Sequence, residues 1–170
     1  CEYAMENYDC DGSPLAFTYN QSNSQAFYFF TTVTLDGIPL DANDWVGAFN
    51  GDVCVGAYQW DTSQCGSGVC AIPTMGDAGD NSTEGYMMFG DIPTFKIYDT
   101  SENIYYDAMP SEDATPWENL GTSFIDNLNV YSDCNGVLGG DAVVDNCGVC
   151  DDDASNDCVE DCFGVWGGDS

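Results

Sequence analysis

Histidine and arginine are absent, and Lys96 is the single basic residue in a chain of 170 that carries 30 Asp and Glu. Each absence removes a class of function. Without His, a Ser or Cys nucleophile lacks its usual base. The carboxylates are too many and too evenly spread to single out the acid pair of a glycoside hydrolase, so an enzyme is not expected. One cation cannot neutralise a run of phosphates, so nucleic acid and anionic membranes are poor partners. No apolar run approaches the ~18 residues that a spanning helix needs, and membrane insertion is not expected. A net charge of -29 repels itself and opposes compaction. The counterpart such a chain asks for is a cation, and Ca2+, which takes oxygen ligands, matches a surface of carboxylates.

What is present argues for a folded protein. With 44% hydrophobic and 14% aromatic residues, the chain is too apolar for disorder. Its ten cysteines, an even number, point to disulfides formed in an oxidising compartment. It does not begin with Met and shows no charged segment followed by an apolar leader core. It reads as a mature or excised part of an exported protein, secreted or at the cell surface.

Three regions follow from composition. Residues 1–13 form a small cap in which Cys1 and Cys10 close one loop; Asp9 and Asp11 are cation ligands or plain turn residues beside Gly12. Residues 14–131 read as all-β. Gln25–Leu35 is aromatic and β-branched, with Phe27, Phe29, Thr31, Val33 and Leu35 on one face at period two. Leu15–Tyr19, Trp45–Phe49, Val53–Trp60, Val69–Ile72, Tyr86–Phe89, Thr94–Tyr98, Ile104–Tyr106 and Ser123–Tyr131 are further strand candidates, and Asn50-Gly51 marks the clearest hairpin. Short strands at this spacing predict a β-sandwich. Asp107–Leu120 reads as a long surface loop with Trp117 either tucked back or displayed. Cys65 and Cys70 bracket a Gly-rich turn and are expected to pair. Cys54 is either a buried thiol or the partner of a distant cysteine.

Residues 132–170 form a tail in which Asp133-Cys134-x-Gly136-Val137-x-Gly139-Gly140-Asp141 returns 28 residues later as Asp161-Cys162-x-Gly164-Val165-x-Gly167-Gly168-Asp169. Asp, Gly and Cys at fixed spacing bury no oily core, so cross-links or metal must hold such a segment. Asp133, Asp141, Asp145, Asp151, Asp152, Asp153, Asp157, Asp161 and Asp169 repel one another unless ions lie between them. Glycines let backbone carbonyls join as ligands, although the spacing is not that of an EF-hand loop. Cys134–Cys147 and Cys150–Cys158 are the preferred pairs because they close short consecutive loops, which leaves Cys162 without an assigned partner. A zinc site from Cys147-x2-Cys150 and Cys158-x3-Cys162 is the competing reading. Asp77 and Asp80, in Gly76–Glu84, are lesser calcium candidates for which turn chemistry is the alternative. Asn20 and Asn81 head glycosylation sequons.

The tail resembles thrombospondin type 3 repeats and, more closely, the DCxGxxGGxAxxDxCGVC repeats of secreted marine-bacterial proteins, which Asp133 to Cys150 match nearly throughout. Leu138 stands where those repeats sometimes carry Cys. Cys1–Gly12 is similar to the end of another such repeat. Asp44–Phe49 and Asp91–Asp99 are similar to β-domains found between them. The resemblance implies calcium binding, secretion, a place in long repetitive surface proteins, and no enzymatic activity. The function expected is a structural subunit of a secreted, calcium-stabilised fibre or stalk that assembles end to end through the tail, with itself or neighbouring repeats as partner. The alternative is a carbohydrate-binding or adhesin module, with Tyr58, Trp60, Tyr105, Tyr106 and Trp117 as a stacking platform for glycans.

Overall fold

A computed structural model describes residues 7–168 of the chain. The chain divides into two compact units, Cys1–Val130 and Tyr131–Ser170. The first unit is mostly β, with no α-helix among the described residues. Its strands are β1 (Gln25–Leu35), β2 (Ile38–Pro39), β3 (Trp45–Asn50), β4 (Val53–Gln59), β5 (Cys70–Met75), β6 (Thr94–Asp99), β7 (Ile104–Pro110) and β8 (Thr122–Val130).

They form one mixed sheet in the order β2-β1-β8-β7-β6-β3-β4. The second edge of β1 is shared by β2 and by β5, which runs antiparallel to it. Among the strand pairs of the described residues, only β1 and β8 run parallel. The sheet curls at β7, whose first part pairs with β6 while Met109 and Pro110 pair with β8. The curl brings β1 face to face with β6, three strands away in sheet order: Phe95 meets Phe30 at 5.1 Å and Tyr28 at 5.8 Å, both edge to face. It also lays β4 against β5, where a Cβ on Gly56 would stand 1.7 Å from the Pro73 carbonyl oxygen.

The alternation along β1 turns Ala26, Tyr28 and Phe30 inward, into a core that also holds Val46, Ala48, Ile97 and Ile125. Phe27 and Phe29 face outward, and Phe29 stacks at 4.7 Å on Phe124, its partner across β8. The outer face of β3, β4 and β6 is covered as well, which is why Val46–Phe49 is buried without alternation. Phe17, Phe49, Cys54, Ala57 and Tyr98 pack there with Tyr8, Tyr19 and Trp45. Gly47 leaves room for the Phe17 ring, which a Cβ would approach to 3.1 Å. The described part of the 1–13 cap therefore belongs to the first unit: Tyr8 packs edge on Tyr98, and Asn7 bonds to Leu15 and Asn103.

Two expected strands are something else. Leu15–Tyr19 holds a 3-10 turn at Leu15–Phe17, because Pro14 sets the entry and Phe17 must drop into the outer layer. Tyr86–Phe89 is cut short between Gly85 and Gly90, both at positive φ, and keeps only one bridge, Gly76 to Met87. The Asn50-Gly51 hairpin forms, with Asn50 opposite Val53. Trp117 is buried, donates its indole N–H to Thr74 O at 3.0 Å, and lies so close that a Cβ on Gly76 would be 2.3 Å from its ring.

The second unit contains two short strands, β9 (Val143–Val144) and β10 (Cys150–Asp151), paired antiparallel. No helix among the described residues is long and apolar enough to cross a membrane.

Candidate functional site

The tail is built on one local device. The Oδ1 of Asp133 accepts the N–H of Asn135 at 2.9 Å and of Val137 at 2.8 Å. The Asp133 N–H goes to Val137 O, and the Gly136 N–H returns to Asp133 O, both at 2.9 Å. Gly136 takes φ +78°, a conformation that costs an L side chain. The turn is closed by an antiparallel bridge between Ser132 and Leu138. A carboxylate so placed satisfies turn amides that the backbone cannot reach, as an Asx-turn does.

The same four bonds and the bridge recur three times. At Asp145, Oδ1 accepts from Cys147 and Val149, both at 2.8 Å, Gly148 has φ +84°, and Val144 pairs with Cys150. At Asp161, Oδ1 accepts from Phe163 at 2.8 Å and Val165 at 3.0 Å, Gly164 has φ +81°, and Glu160 bridges to Trp166. At Asp9, in the first unit, Oδ1 accepts from Asp11 at 2.9 Å and Ser13 at 2.8 Å, Gly12 has φ +85°, and Tyr8 bridges to Pro14. The 28-residue repeat and the likeness of Cys1–Gly12 to a repeat end were visible in sequence; that Asp9 and Asp145 close the same turn was not. Their signal was Asp followed by Gly three residues on.

The Gly-Gly pair has its own reason. Gly139 and Gly167 take positive φ. A Cβ on Gly140 would stand 2.2 Å from Asp133 Oδ2, and one on Gly168 2.1 Å from Asp161 Oδ2, so the second glycine packs on the turn carboxylate.

Four of the other candidate ligands close turns too. Asp151 accepts from the Asp153 N–H and from the Asn156 side chain, and Asp153 from Ser155. The Ser155 hydroxyl holds the Asp153 carboxyl below the usual carboxylate range. Asp77 accepts from Gly79, and Asp80 from Ser82, whose hydroxyl lowers the Asp80 carboxyl in the same way. Asp11, Asp141, Asp152 and Asp157 are exposed. Asp169 lies outside the described residues. Among those described, no three acidic or thiol side chains converge on one metal position.

The tail disulfides differ from the expected pairs. Cys134 is joined to Cys150, not Cys147, and Cys147 to Cys158, so the loops overlap instead of following one another. Shorter loops carried the expectation, but the entropy at stake between such close lengths is only a few tenths of a kcal/mol. The turns decide: they hold the partners at Cα separations of 6.0 and 6.1 Å, within disulfide reach. Overlap means that each bond staples two successive turns. The same bonds consume Cys147, Cys150 and Cys158, so the zinc reading lacks thiolates. Cys65 is joined to Cys70. The Cys1–Cys10 pairing lies outside the described residues, since Cys1 does. Cys54 and Cys162 are free thiols. Burial pushes Cys54 up to about 11.

The glycan platform does not assemble. Trp60 and Trp117 are 3% and 5% exposed, in the core, and Tyr105 packs on Phe17 and Tyr98. Asn20 donates its side-chain amide to Ser82 O of the other sequon at 2.8 Å, while Asn81 is exposed.

No family model matches the chain, and no curated protein or solved structure matches it.

Proposed function

We propose that the chain is a structural subunit of a secreted, calcium-stabilised fibre or stalk that assembles end to end through its Asp/Cys/Gly tail. One observation carries this reading. The same closed Asp turn stands before the curled sheet, at Asp9, and after it, at Asp133, Asp145 and Asp161. A domain set between copies of one small unit is the layout of a repetitive polymer, in which each copy needs its neighbours. We read the curled sheet as a β-sandwich whose layers share β7, and residues 132–170 as the thrombospondin type 3-like connector. The disulfides speak for an oxidising compartment.

The donor chemistry fits Ca2+ in kind. Oxygen donors abound, imidazole is absent, and the tail thiols other than Cys162 are oxidised. In each turn Oδ1 is committed to two amides, which leaves Oδ2 of Asp133 and Asp145 as a donor, with Asp141, Asp151, Asp153, Asp157 and Asp161 as further carboxylates. The 6–8 ligands that Ca2+ takes would be completed by backbone carbonyls, water or a neighbouring subunit. When bound, the ion supplies the positive charge that lets these carboxylates approach.

The test is chelation under non-reducing conditions, followed by circular dichroism, protease sensitivity and particle length under the electron microscope. EDTA is expected to loosen the tail between its turns and disperse assemblies. If all three readouts stay unchanged, the calcium reading is wrong.

A further inference from the structure

The first unit holds an open cavity of about 230 Å³ whose lining residues carry no charge, in a chain with 30 acids. Thr31 comes from β1, and Pro39 and Leu40 from β2 and the turn after it. Thr62 and Gly68 come from the loop that the Cys65–Cys70 disulfide pins at its base. Trp60 forms the floor, 3% exposed. Among the described residues its indole N–H has no acceptor, and no fully buried side-chain N or O lacks a partner. The N–H is therefore not sealed from solvent, and Trp60 lines this cavity.

We propose that this pocket binds a neutral, hydroxyl-bearing small molecule, a single sugar ring, which accepts the Trp60 N–H. The surrounding acids repel anions, and the lining offers a cation no carboxylate. A purely apolar guest would leave the indole donor unpaired, which is costly once water is expelled. Thr31 and Thr62 add hydroxyls that donate and accept. The volume lies below the roughly 300–1,000 Å³ of drug-sized sites, which suits one ring. This is a different chemistry from an exposed stacking platform, because the tryptophan meets its guest through the N–H and a small part of its surface.

The test follows the four indole N–H signals of the 15N-labelled protein while neutral methyl glycosides of glucose, galactose, mannose and N-acetylglucosamine are added, with the matching oligosaccharides as a second arm. The expected result is saturable movement of the Trp60 signal with at least one glycoside while Trp166, in the tail, stays still. Retention in the oligosaccharide arm assigns the site to a glycan chain, and its loss to a free monosaccharide. Trp60→Phe keeps a ring without the donor and is expected to weaken binding about three- to tenfold. Thr62→Val, on an exposed loop, is expected to weaken it by a similar factor without disturbing the fold. A Trp60 signal unmoved by every glycoside, as for a pocket holding water only, overturns the proposal, as does undiminished binding by both variants. The site is expected to survive EDTA, which separates it from the calcium reading of the tail.

Discussion

Asp145→Ala tests whether the turns close by capture of amides or by metal. The substitution removes the acceptor of two N–H groups, on Cys147 and Val149, each held at 2.8 Å. Both amides lie at the surface and regain water, so the loss resembles that of a helix N-cap, about 1–2 kcal/mol, and not that of a buried orphan. The main-chain bond from Asp145 N to Val149 O and the disulfides Cys134–Cys150 and Cys147–Cys158 remain, so the tail opens locally without unfolding. Amide hydrogen exchange at Cys147 and Val149 is the direct readout, with about 5- to 30-fold faster exchange expected. Asp145→Asn keeps an acceptor oxygen without its charge; charge-assisted bonds are about twice as strong as neutral ones, so about half the loss is expected. In the native protein, EDTA should leave both amides protected. Unchanged exchange in Asp145→Ala, or protection lost on chelation alone, would refute the reasoning.

Four further outcomes follow from particular contacts. Gly140→Ala should disrupt its turn more than Gly136→Ala, because a Cβ at 140 meets Asp133 Oδ2 at 2.2 Å whereas at 136 it meets open space and only the positive-φ cost of about 1–2 kcal/mol applies; exchange at Val137 compares them. Gly56→Ala should lower the melting temperature of the first unit, since its Cβ falls 1.7 Å from the Pro73 carbonyl oxygen and must force β4 from β5, at about 1–3 kcal/mol or more. In the native protein Cys162 should alkylate readily near neutral pH and Cys54 should not, its thiol being buried and pushed up to about 11; mass spectrometry after brief iodoacetamide treatment reads both. Asp44 is 5% exposed, and burial raises its carboxyl above the ordinary 3.8. A raised folded value means its contribution to stability is full below 3.8 and is withdrawn as pH rises through the folded value. The stability of the native protein relative to Asp44→Asn should therefore fall as pH rises above 3.8 in thermal melts, and a flat difference would count against it.

Strands were legible where burial is one-sided or a turn is chemically explicit. Asn50-Gly51 announces its hairpin, and β1 announces its period. Which face of β1 turns inward was not legible, because aromatic residues sit on both: Tyr28 and Phe30 fill the core, while Phe27 and Phe29 line the outside with Phe124. Segment 15–19 was misread because a residue destined for an outer layer, Phe17, has the same hydropathy in a 3-10 turn as in a strand. Whether Trp60 and Trp117 sit in the core or on display stays open in the sequence for a related reason: a tryptophan's ring says nothing of whether its partner is a sugar or the core. In the tail, the recurrence of Asp-Cys-x-Gly-Val was plain, but the partner of its carboxylate was not. A closely spaced acidic run suggests ions, and a spacing of Asp to Gly at three suggests amides; the second signal is local and the first is not.

That distinction changes what an ion is asked to do. The four bonds that close each Asp turn are all internal to a few residues, and the overlapping disulfides tie Cys134 to Cys150 and Cys147 to Cys158 without any metal. Shape within a turn is therefore set by the carboxylate acting as an acceptor, and the proposed ion is left the task that hydrogen bonds cannot perform, neutralising a charge of -29. Screening of exposed charges falls off over about 8 Å at physiological ionic strength, so monovalent salt reduces repulsion between turns yet bridges none of them. Assembly driven by Ca2+ should accordingly resist replacement by a larger concentration of Na+, whereas mere relief of repulsion would be matched by it. Particle length measured in Ca2+ and in Na+ at equal ionic strength decides between a bridging ion and a screening one, and equal lengths would leave the tail's carboxylates no role beyond the turns they close.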